Sequence, residues 1–155
     1  MWTERDRPTM TFSDQGWASR FVAMGDASEN KFVETVEGRC ERWGFNRPEG
    51  VNIPSLPARV RACPDFVTNE GFVECMGLGR AQYLQIKLEK WGVLRWWHDL
   101  MPVTIFVWDS HRKRHCRVGL EAVDALIQTP GLCEFDYFDG RKLVIKIPAD
   151  SIFEL

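Results

Sequence analysis

The sequence predicts an α/β domain: a mixed central β-sheet flanked by helices, with a C-terminal strand-helix-hairpin appendage. Two stretches show the apolar periodicity of helices, from Asp26 to Trp43 and from Arg80 to His98. Short apolar runs between and after them are typical of strands, and the run 103–107 is β-branched and nearly all apolar, as internal strands are. Helices that alternate with strands in this way pack on the faces of a sheet.

The composition fits one domain of a soluble globular protein. The chain has 155 residues, 45% of them hydrophobic and 27% charged, which is enough to bury a core. Its net charge of −2 provides no overall positive field, so any nucleic-acid contact has to come from local clusters. We expect an N-terminal extension over residues 1–24, a core over 25–108 and the appendage over 109–155.

The cellular setting is predicted from three absences in the sequence. The first residues lack the pattern of a signal peptide, and no apolar run approaches the ~20 residues that span a bilayer. The five cysteines include no Cys-x-x-Cys pair, which favours reduced thiols over disulfides or a zinc site. We therefore expect a cytoplasmic protein without membrane contact.

The first helix is predicted from Asp26 to Trp43, with Gly44 following its C-terminus. Glu29 falls on the apolar stripe of this helix, in its first turn. A carboxylate on a buried face indicates either a functional site or a capping box, in which Asp26 is the N-cap and Glu29 reaches back to its amide. The two roles are compatible.

Three strands are predicted next, and two of them carry acids. The first, Ala58–Ala62, alternates basic and apolar residues. The other two form a hairpin within Cys63–Met76, with Asp65 opening one strand and Glu74 inside the other. Carboxylates facing each other across neighbouring strands offer the oxygen ligands that a hard divalent cation requires. The simpler alternative is a Pro-Asp turn and an ordinary strand glutamate.

The second helix is predicted from Arg80 to His98. Arg80 and Lys87 both lie within its apolar stripe, two turns or about 10.5 Å apart. Because the helix runs back along the strand before it, Lys87 should lie level with Glu74. An inward lysine beside buried acids needs a partner. Alternatively, its stem covers Trp91 and its ammonium group reaches solvent.

After the strand 102–108, the appendage is predicted to contain a hairpin tip, a helix over 120–128 and a second hairpin. The strands of that hairpin, 133–137 and 143–147, flank an Asp-Gly turn signal. The tip holds the densest basic cluster of the chain, which is either a solvated turn or a contact with phosphates. This cluster consists of Arg112, Lys113 and Arg114.

The order of these elements resembles the PD-(D/E)XK nuclease superfamily, and within it the small Holliday-junction resolvase-type endonucleases. The resemblance covers about half the chain, residues 25–108, and implies a restriction-endonuclease-like core. Glu29 matches the family's helix-one glutamate, Asp65 the aspartate of its Pro-Asp motif and Glu74 its strand glutamate. Met76 stands where the family has a lysine.

The resemblance implies an endodeoxyribonuclease that hydrolyses phosphodiester bonds with Mg²⁺ or Mn²⁺, with branched or structured DNA in recombination or repair as the expected substrate. Asp65, Glu74 and the backbone carbonyl of Cys75 would hold the metal, and Glu29 would complete the acidic pocket. Since Met76 has no charge, we expect Lys87 to supply the missing cation, with Arg80 as second choice. The residues expected to contact DNA are Arg59, Arg61, Arg80, Arg112, Lys113 and Arg114.

Two other classes of function remain open at this stage. The loss of the family lysine at position 76 is compatible with a catalytically silent relative that binds DNA or a protein. The acidic isoelectric point and the seven tryptophans are compatible with an interaction module that has no nucleic-acid role. A homodimer is possible in each case.

Overall fold

The computed structural model of the protein describes residues 27–44, 52–138 and 141–155. Within these ranges the helices are α1 (residues 27–35), α2 (Ala58–Arg61), α3 (Leu88–Leu100), α4 (Leu120–Gln128) and α5 (Ala149–Phe153). The strands are β1 (Cys40–Arg42), β2 (Phe66–Thr68), β3 (Gly71–Leu78), β4 (Tyr83–Lys87), β5 (Val103–Asp109), β6 (Arg114–Gly119), β7 (Glu134–Phe138) and β8 (Lys142–Pro148). None of these helices combines the length and the apolar character needed to cross a membrane.

The strands form two sheets. The larger sheet has the order β1-β2-β3-β5-β6, in which β3 and β5 are parallel and the other neighbours antiparallel. The smaller sheet is antiparallel, with the order β4-β8-β7. The predicted class, α/β with a mixed sheet and helices, is therefore confirmed.

Strand β3 separates two apolar cores, because its side chains alternate between the faces of the larger sheet. Val73 and Cys75 face a small core built with α1, in which the ring of Phe32 lies 5.1 Å from that of Phe66. Phe72 and Met76 face a larger core that includes residues of α3, α4 and the smaller sheet. A charged side chain on either face of β3 is thus enclosed by packed elements.

Two predicted elements in the first half of the chain are wrong. The first helix does not continue to Trp43, since the described helix ends at residue 35 and β1 follows. Gly38 adopts φ of +86° between them, and β1 gains backbone hydrogen bonds by pairing with β2. The segment Ala58–Ala62 is not a strand but contains α2. Pro57 precedes its first turn, and the carbonyl of Pro57 accepts the amides of Val60 and Arg61.

The second predicted helix also begins later than expected, at Leu88. Residues Tyr83–Lys87 form β4, in which Leu84 and Ile86 are buried and their neighbours are more exposed. Gln82 has φ of +55°, which a helix cannot contain, and β4 pairs along its whole length with β8. A leucine at 84 and another at 88 fit the period of a helix, but the Leu84–Ile86 alternation was the correct signal.

The second half of the chain follows the prediction more closely. The buried strand is β5, the helix over 120–128 is α4, and the final hairpin is formed by β7 and β8. The turn signal Asp139-Gly140 and the extension 1–24 lie outside the described residues. The predicted hairpin tip joins β5 to β6, so β6 belongs to the larger sheet.

Asp109 closes β5 with a buried hydrogen-bonded carboxylate. It is fully buried, and its oxygens accept the amides of His111 and Arg112 at 3.1 Å, Gln82 Nε2 at 3.0 Å and Arg114 Nε at 3.1 Å. Burial alone would raise the pKa of Asp109, but these hydrogen bonds outweigh it and hold the pKa below its usual range. The carboxylate therefore stabilises the turn between β5 and β6.

Asp109→Asn should lower the free energy of unfolding at pH 7 by about 2 kcal/mol, because one amide oxygen replaces two acceptors among buried donors. A lowered pKa in the folded state gives stability that is present above the unfolded value and is lost as the pH falls through the folded value. Urea unfolding between pH 7 and pH 2 should therefore show a weaker loss on acidification in the variant. Asp99→Asn, at an exposed carboxylate of α3, is the control and should behave like wild type; equal stability of Asp109→Asn and wild type would contradict the prediction.

Candidate active site

Asp65 is fixed where β2 separates from β3. Its amide donates to the Val73 carbonyl at 3.0 Å, continuing the strand pairing, and its own carbonyl accepts the amides of Trp43 and Gly44 at 2.9 and 3.1 Å. Beyond that point its side chain takes over the pairing, because Oδ2 accepts the Cys75 amide at 2.8 Å. Hydrogen bonds on two sides thus hold the Asp65 backbone, and the Cys75 amide holds its carboxylate beside β3.

The backbone carbonyl of Cys75 faces the same edge. In an extended strand the N–H and C=O of one residue point to the same neighbour. Since the Cys75 amide is bonded to Asp65, the Cys75 carbonyl points toward that side of β3 as well. The predicted pair of oxygen donors is thus brought together.

Glu29 reaches this edge from α1. It is 7% exposed, and its Oε2 accepts a hydrogen bond from Arg42 Nη2 at 2.8 Å. Arg42 also lies over the ring of Phe66, 4.8 Å from its centroid, which fixes the guanidinium. The carboxyl group of Asp65 raises the pKa of Glu29, by its charge and by a hydrogen bond between the two side chains. The predicted capping partner of Glu29, Asp26, lies outside the described residues.

Glu74 lies on the α3 side of β3 and is fully buried. Lys90, from the first turn of α3, forms an ion pair with its Oε1. The side chain of Lys90 is 35% exposed, so the lysine extends from the surface to the buried carboxylate. A lysine beside the strand glutamate is therefore present, although it comes from a helix.

The three carboxyl groups change each other's protonation. Burial and the charge of Asp65 raise the pKa of Glu29 to about 7, against the effect of Arg42. Burial and the charge of Glu74 raise the pKa of Asp65 to about 7, against Lys90 and the Cys75 amide. Burial disfavours charged Lys90, but Glu74 and Asp65 outweigh it and raise the lysine pKa. Near neutral pH these effects keep Lys90 charged and favour the protonated forms of Glu29 and Asp65.

Lys87, expected to face Glu74 from a helix, lies in β4 instead. Its backbone pairs with Val144 in the smaller sheet, and its side chain is exposed. The expectation failed because the helix that carries the inward lysine begins one residue after Lys87. Met76 is 8% exposed and packs in the larger core.

Lys90 and Arg42 are the two site residues that sequence reasoning missed. With a helix beginning at Leu88, Lys90 precedes the buried Val93 and Leu94 by three and four residues, which puts it on the inner face. Recognising β4 by its alternation would have identified Lys90. No sequence signal pointed to Arg42, because the strand that carries it was read as the end of a helix.

Two of the three arginines proposed for DNA contact near the site have partners within the protein. Arg59 lies over the ring of Trp96, 4.2 Å from its centroid, and is exposed. Arg61 pairs with Glu89 of α3. Arg80 is exposed in the turn between β3 and β4. All three remain candidates, with Arg59 the one stacked on an aromatic ring.

The basic cluster at the β5–β6 tip is used in part to hold α5. Arg112 and Arg114 both bind Asp150, at 2.7 and 2.8 Å, and Arg114 also bonds Asp109 and lies over the ring of Phe153. Lys113 is exposed at the tip, with φ of +54°. These contacts give Arg112 and Arg114 a structural role in addition to any contact with phosphates.

The chain matches no family model, no curated protein and no solved structure. Across the described ranges, no three His, Cys, Asp or Glu side chains form a group that could hold a metal ion by themselves. The chemistry of the site therefore depends on six groups beside β3. They are the carboxyl groups of Glu29, Asp65 and Glu74, the backbone carbonyl of Cys75, and the cations of Arg42 and Lys90.

Proposed function

We propose that the protein is a metal-dependent DNA endonuclease that hydrolyses phosphodiester bonds, with branched or structured DNA as substrate. The observation that carries the proposal is the convergence of Glu29, Asp65 and Glu74 with a lysine at one end of the hairpin. Elements far apart in the chain supply these groups. Burying their charges costs free energy, so their convergence favours a functional role over a structural one. Part of the order on which the PD-(D/E)XK resemblance rests also supports the proposal, since α1, the β2–β3 hairpin, α3 and β5 follow one another, although α2 replaces a predicted strand and β4 precedes α3.

The donor set fits Mg²⁺ or Mn²⁺. Mg²⁺ is usually bound by one or two carboxylates, with water and substrate phosphate completing its shell. Asp65, Glu74 and the Cys75 carbonyl would hold it. The raised pKa values of Glu29 and Asp65 support this assignment, since a divalent cation would offset the repulsion between the acids.

In the proposed reaction, a divalent cation held by these residues would polarise the scissile phosphate and lower the pKa of an attacking water. The chain's own residues orient these groups. Lys90, charged and paired with Glu74 in the substrate-free protein, would donate to the phosphate oxygen on which charge builds up in the transition state. Arg42 holds the Glu29 carboxyl group near Asp65. There Glu29 would orient a water molecule or take up a proton from it.

A catalytically silent relative that binds DNA or a protein is the second candidate. It is favoured by one observation: Lys90 forms an ion pair with Glu74 and so occupies a carboxylate that the metal would need. In the active alternative, Lys90 moves from Glu74 to the phosphate when substrate and metal bind.

The test is incubation of the purified chain with labelled linear duplex, single-stranded, flap and four-way DNA in Mg²⁺, in Mn²⁺ and in EDTA. We expect cleavage with either metal and none in EDTA. Glu74→Gln should lose cleavage and Glu34→Gln, at an exposed position of α1, should retain it. If the protein binds DNA but cleaves none of these substrates, it is the catalytically silent DNA-binding protein of the second candidate. If Glu74→Gln still cleaves DNA, Glu74 is not part of the active site.

A further inference from the structure

An aromatic patch adjoins the acidic site. We define it as Trp43, Trp96 and Trp97 together with Arg59, and the buried Phe72 packs beneath the ring of Trp43. The ring of Trp43 lies 5.1 Å from that of Phe72 and 5.8 Å from that of Trp97. Trp96 and Trp97 lie 5.2 Å apart. Trp43 is 48% exposed, so much of a large apolar ring faces solvent on a supported surface.

Contacts between α2 and α3 support the patch, which includes an exposed cation. The indole Nε1 of Trp97 donates to the Arg59 carbonyl at 3.1 Å, which ties α2 to α3. The Arg59 guanidinium stacks on Trp96 at 4.2 Å. Aromatic faces with a stacked guanidinium are what proteins use to hold unpaired bases, because every base has a π-face and a neighbouring phosphate.

The patch is connected to the acidic site through three elements. The amide of Trp43 is bonded to the Asp65 carbonyl at 2.9 Å, and Trp43 directly follows Arg42, the partner of Glu29. Phe72 precedes Glu74 by two residues on the same face of β3, roughly 7 Å along the strand. Trp97 follows Lys90 by two turns of α3, about 10.5 Å. A nucleotide whose base lies on the patch thus has its phosphate near the acids.

We infer that Trp43 stacks with an unpaired base of the DNA substrate, next to the phosphate that is cleaved; this rests on the proposed function. Duplex DNA keeps its bases stacked inside, so only an unpaired nucleotide can place its face on the ring. The favoured substrates are then single-stranded DNA and the single-stranded parts of flaps and junctions, while a fully paired duplex binds less tightly.

The experiment measures binding without cleavage. The full-length protein in EDTA is titrated into fluorescein-labelled single-stranded oligothymidine and into a blunt duplex of equal length, with fluorescence anisotropy as readout. Wild type should bind the single strand more tightly than the duplex. Trp43→Leu keeps an apolar side chain against Phe72 but has no ring, and should bind the single strand about tenfold more weakly. Trp43→Phe should restore most of the affinity.

Two controls make the result decisive. Tyr137→Ala removes another exposed aromatic side chain, on β7 of the smaller sheet, and should leave affinity unchanged. Arg59→Ala leaves Trp43 in place and should weaken binding to the single strand as well. The inference is overturned if Trp43→Leu binds the single strand as wild type does, or if wild type has no preference over duplex.

The inference and the proposed function can fail separately. If wild type binds the single strand through Trp43 but cleaves no DNA with Mg²⁺ or Mn²⁺, the inference stands and the proposed activity is wrong. If wild type cleaves DNA and Trp43→Leu binds and cleaves single strands at the same level, the activity stands and the inference is wrong.

Discussion

Asp65→Asn should abolish divalent-dependent cleavage and at the same time stabilise the fold. The amide keeps an oxygen that accepts the Cys75 amide, and its NH₂ group can donate to Glu29, so the local hydrogen bonds survive. It removes the negative charge that a divalent cation requires, and we expect a loss of at least 10³-fold in cleavage, on the scale of losing an essential catalytic group. The DNA panel with Mg²⁺ and Mn²⁺ provides the measurement.

The stability effect depends on pH. The pKa of Asp65 is about 7 in the folded protein, against 3.8 for an unperturbed aspartate, so the folded state keeps the proton more tightly. The stability of wild type therefore falls as the pH rises from about 4 to about 7, and stays lower above pH 7. Asparagine does not ionise and avoids this loss. In EDTA at pH 8 the variant should be more stable by about 1 to 3 kcal/mol, a rise of several degrees in Tm.

Glu70→Gln, in the exposed turn of the same hairpin, is the matched control and should change neither cleavage nor the pH dependence of Tm. The combination of results separates a functional acid from a structural one. An Asp65→Asn variant that melts lower than wild type at pH 8 in EDTA would show that the carboxylate supports the fold. Wild-type cleavage by that variant would remove Asp65 from the site.

The acidic hairpin could be predicted from sequence because its signals are local. Asp65 and Glu74 lie within ten residues of each other, on strands that pair directly, so strand alternation and one turn determine their relation. Glu29 could be placed on a buried face because it lies on the apolar stripe of α1, whose described residues include the buried Phe32. These predictions required no knowledge of how distant elements pack.

The identity of the lysine in the site could not be predicted, because it depends on where the alternation of a strand ends and the periodicity of a helix begins. Leu84, Leu88 and Trp91 fit a helical stripe, whereas Leu84 and Ile86 fit a strand. The partner that decides for the strand is β8, some sixty residues later in the chain, and pairing with it outweighs local helix propensity. Moving the start of the helix to Leu88 replaces Lys87 by Lys90 on the inner face.

Arg42 could not be predicted for a similar reason. The residues before Gly44 were assigned to a helix, and only the pairing of β1 with β2 turns this segment into a strand. That pairing puts Arg42 opposite Phe66, beside Asp65, and within reach of Glu29. The cation that pairs with Glu29 thus comes from β1, an edge strand of three residues. A strand of this length is too short to produce a recognisable sequence pattern.

Lys90→Met should reduce metal-dependent cleavage by about 10²-fold or more, while binding to DNA in EDTA weakens far less. Met keeps most of the apolar stem and removes the charge. The reason for the loss is that the ammonium group of Lys90 is the cation paired with Glu74 in the site. Single-turnover cleavage at saturating protein separates the chemical step from binding.

Lys87→Met is the matched control, three residues away in sequence but on β4 with an exposed side chain, and it should cleave like wild type. The Lys90→Met variant also loses the ion pair with the buried Glu74. The thermal stability of this variant therefore has to be compared with that of wild type in EDTA. Lys90→Arg should restore the charge and the stability but only part of the rate, since a guanidinium has a different shape from an ammonium group.

The final step is to put the lysine on the strand. Met76 lies two residues after Glu74 on the same face of β3, so Met76→Lys in the Lys90→Met background places an ammonium group near the same carboxylate. Partial recovery of cleavage in the double variant would show that the site needs a cation but not a particular element to carry it. If Lys90→Met cleaves at the wild-type rate and Lys87→Met or Arg80→Met does not, the cation comes from that other residue, and the ion pair between Lys90 and Glu74 serves only to neutralise a buried acid.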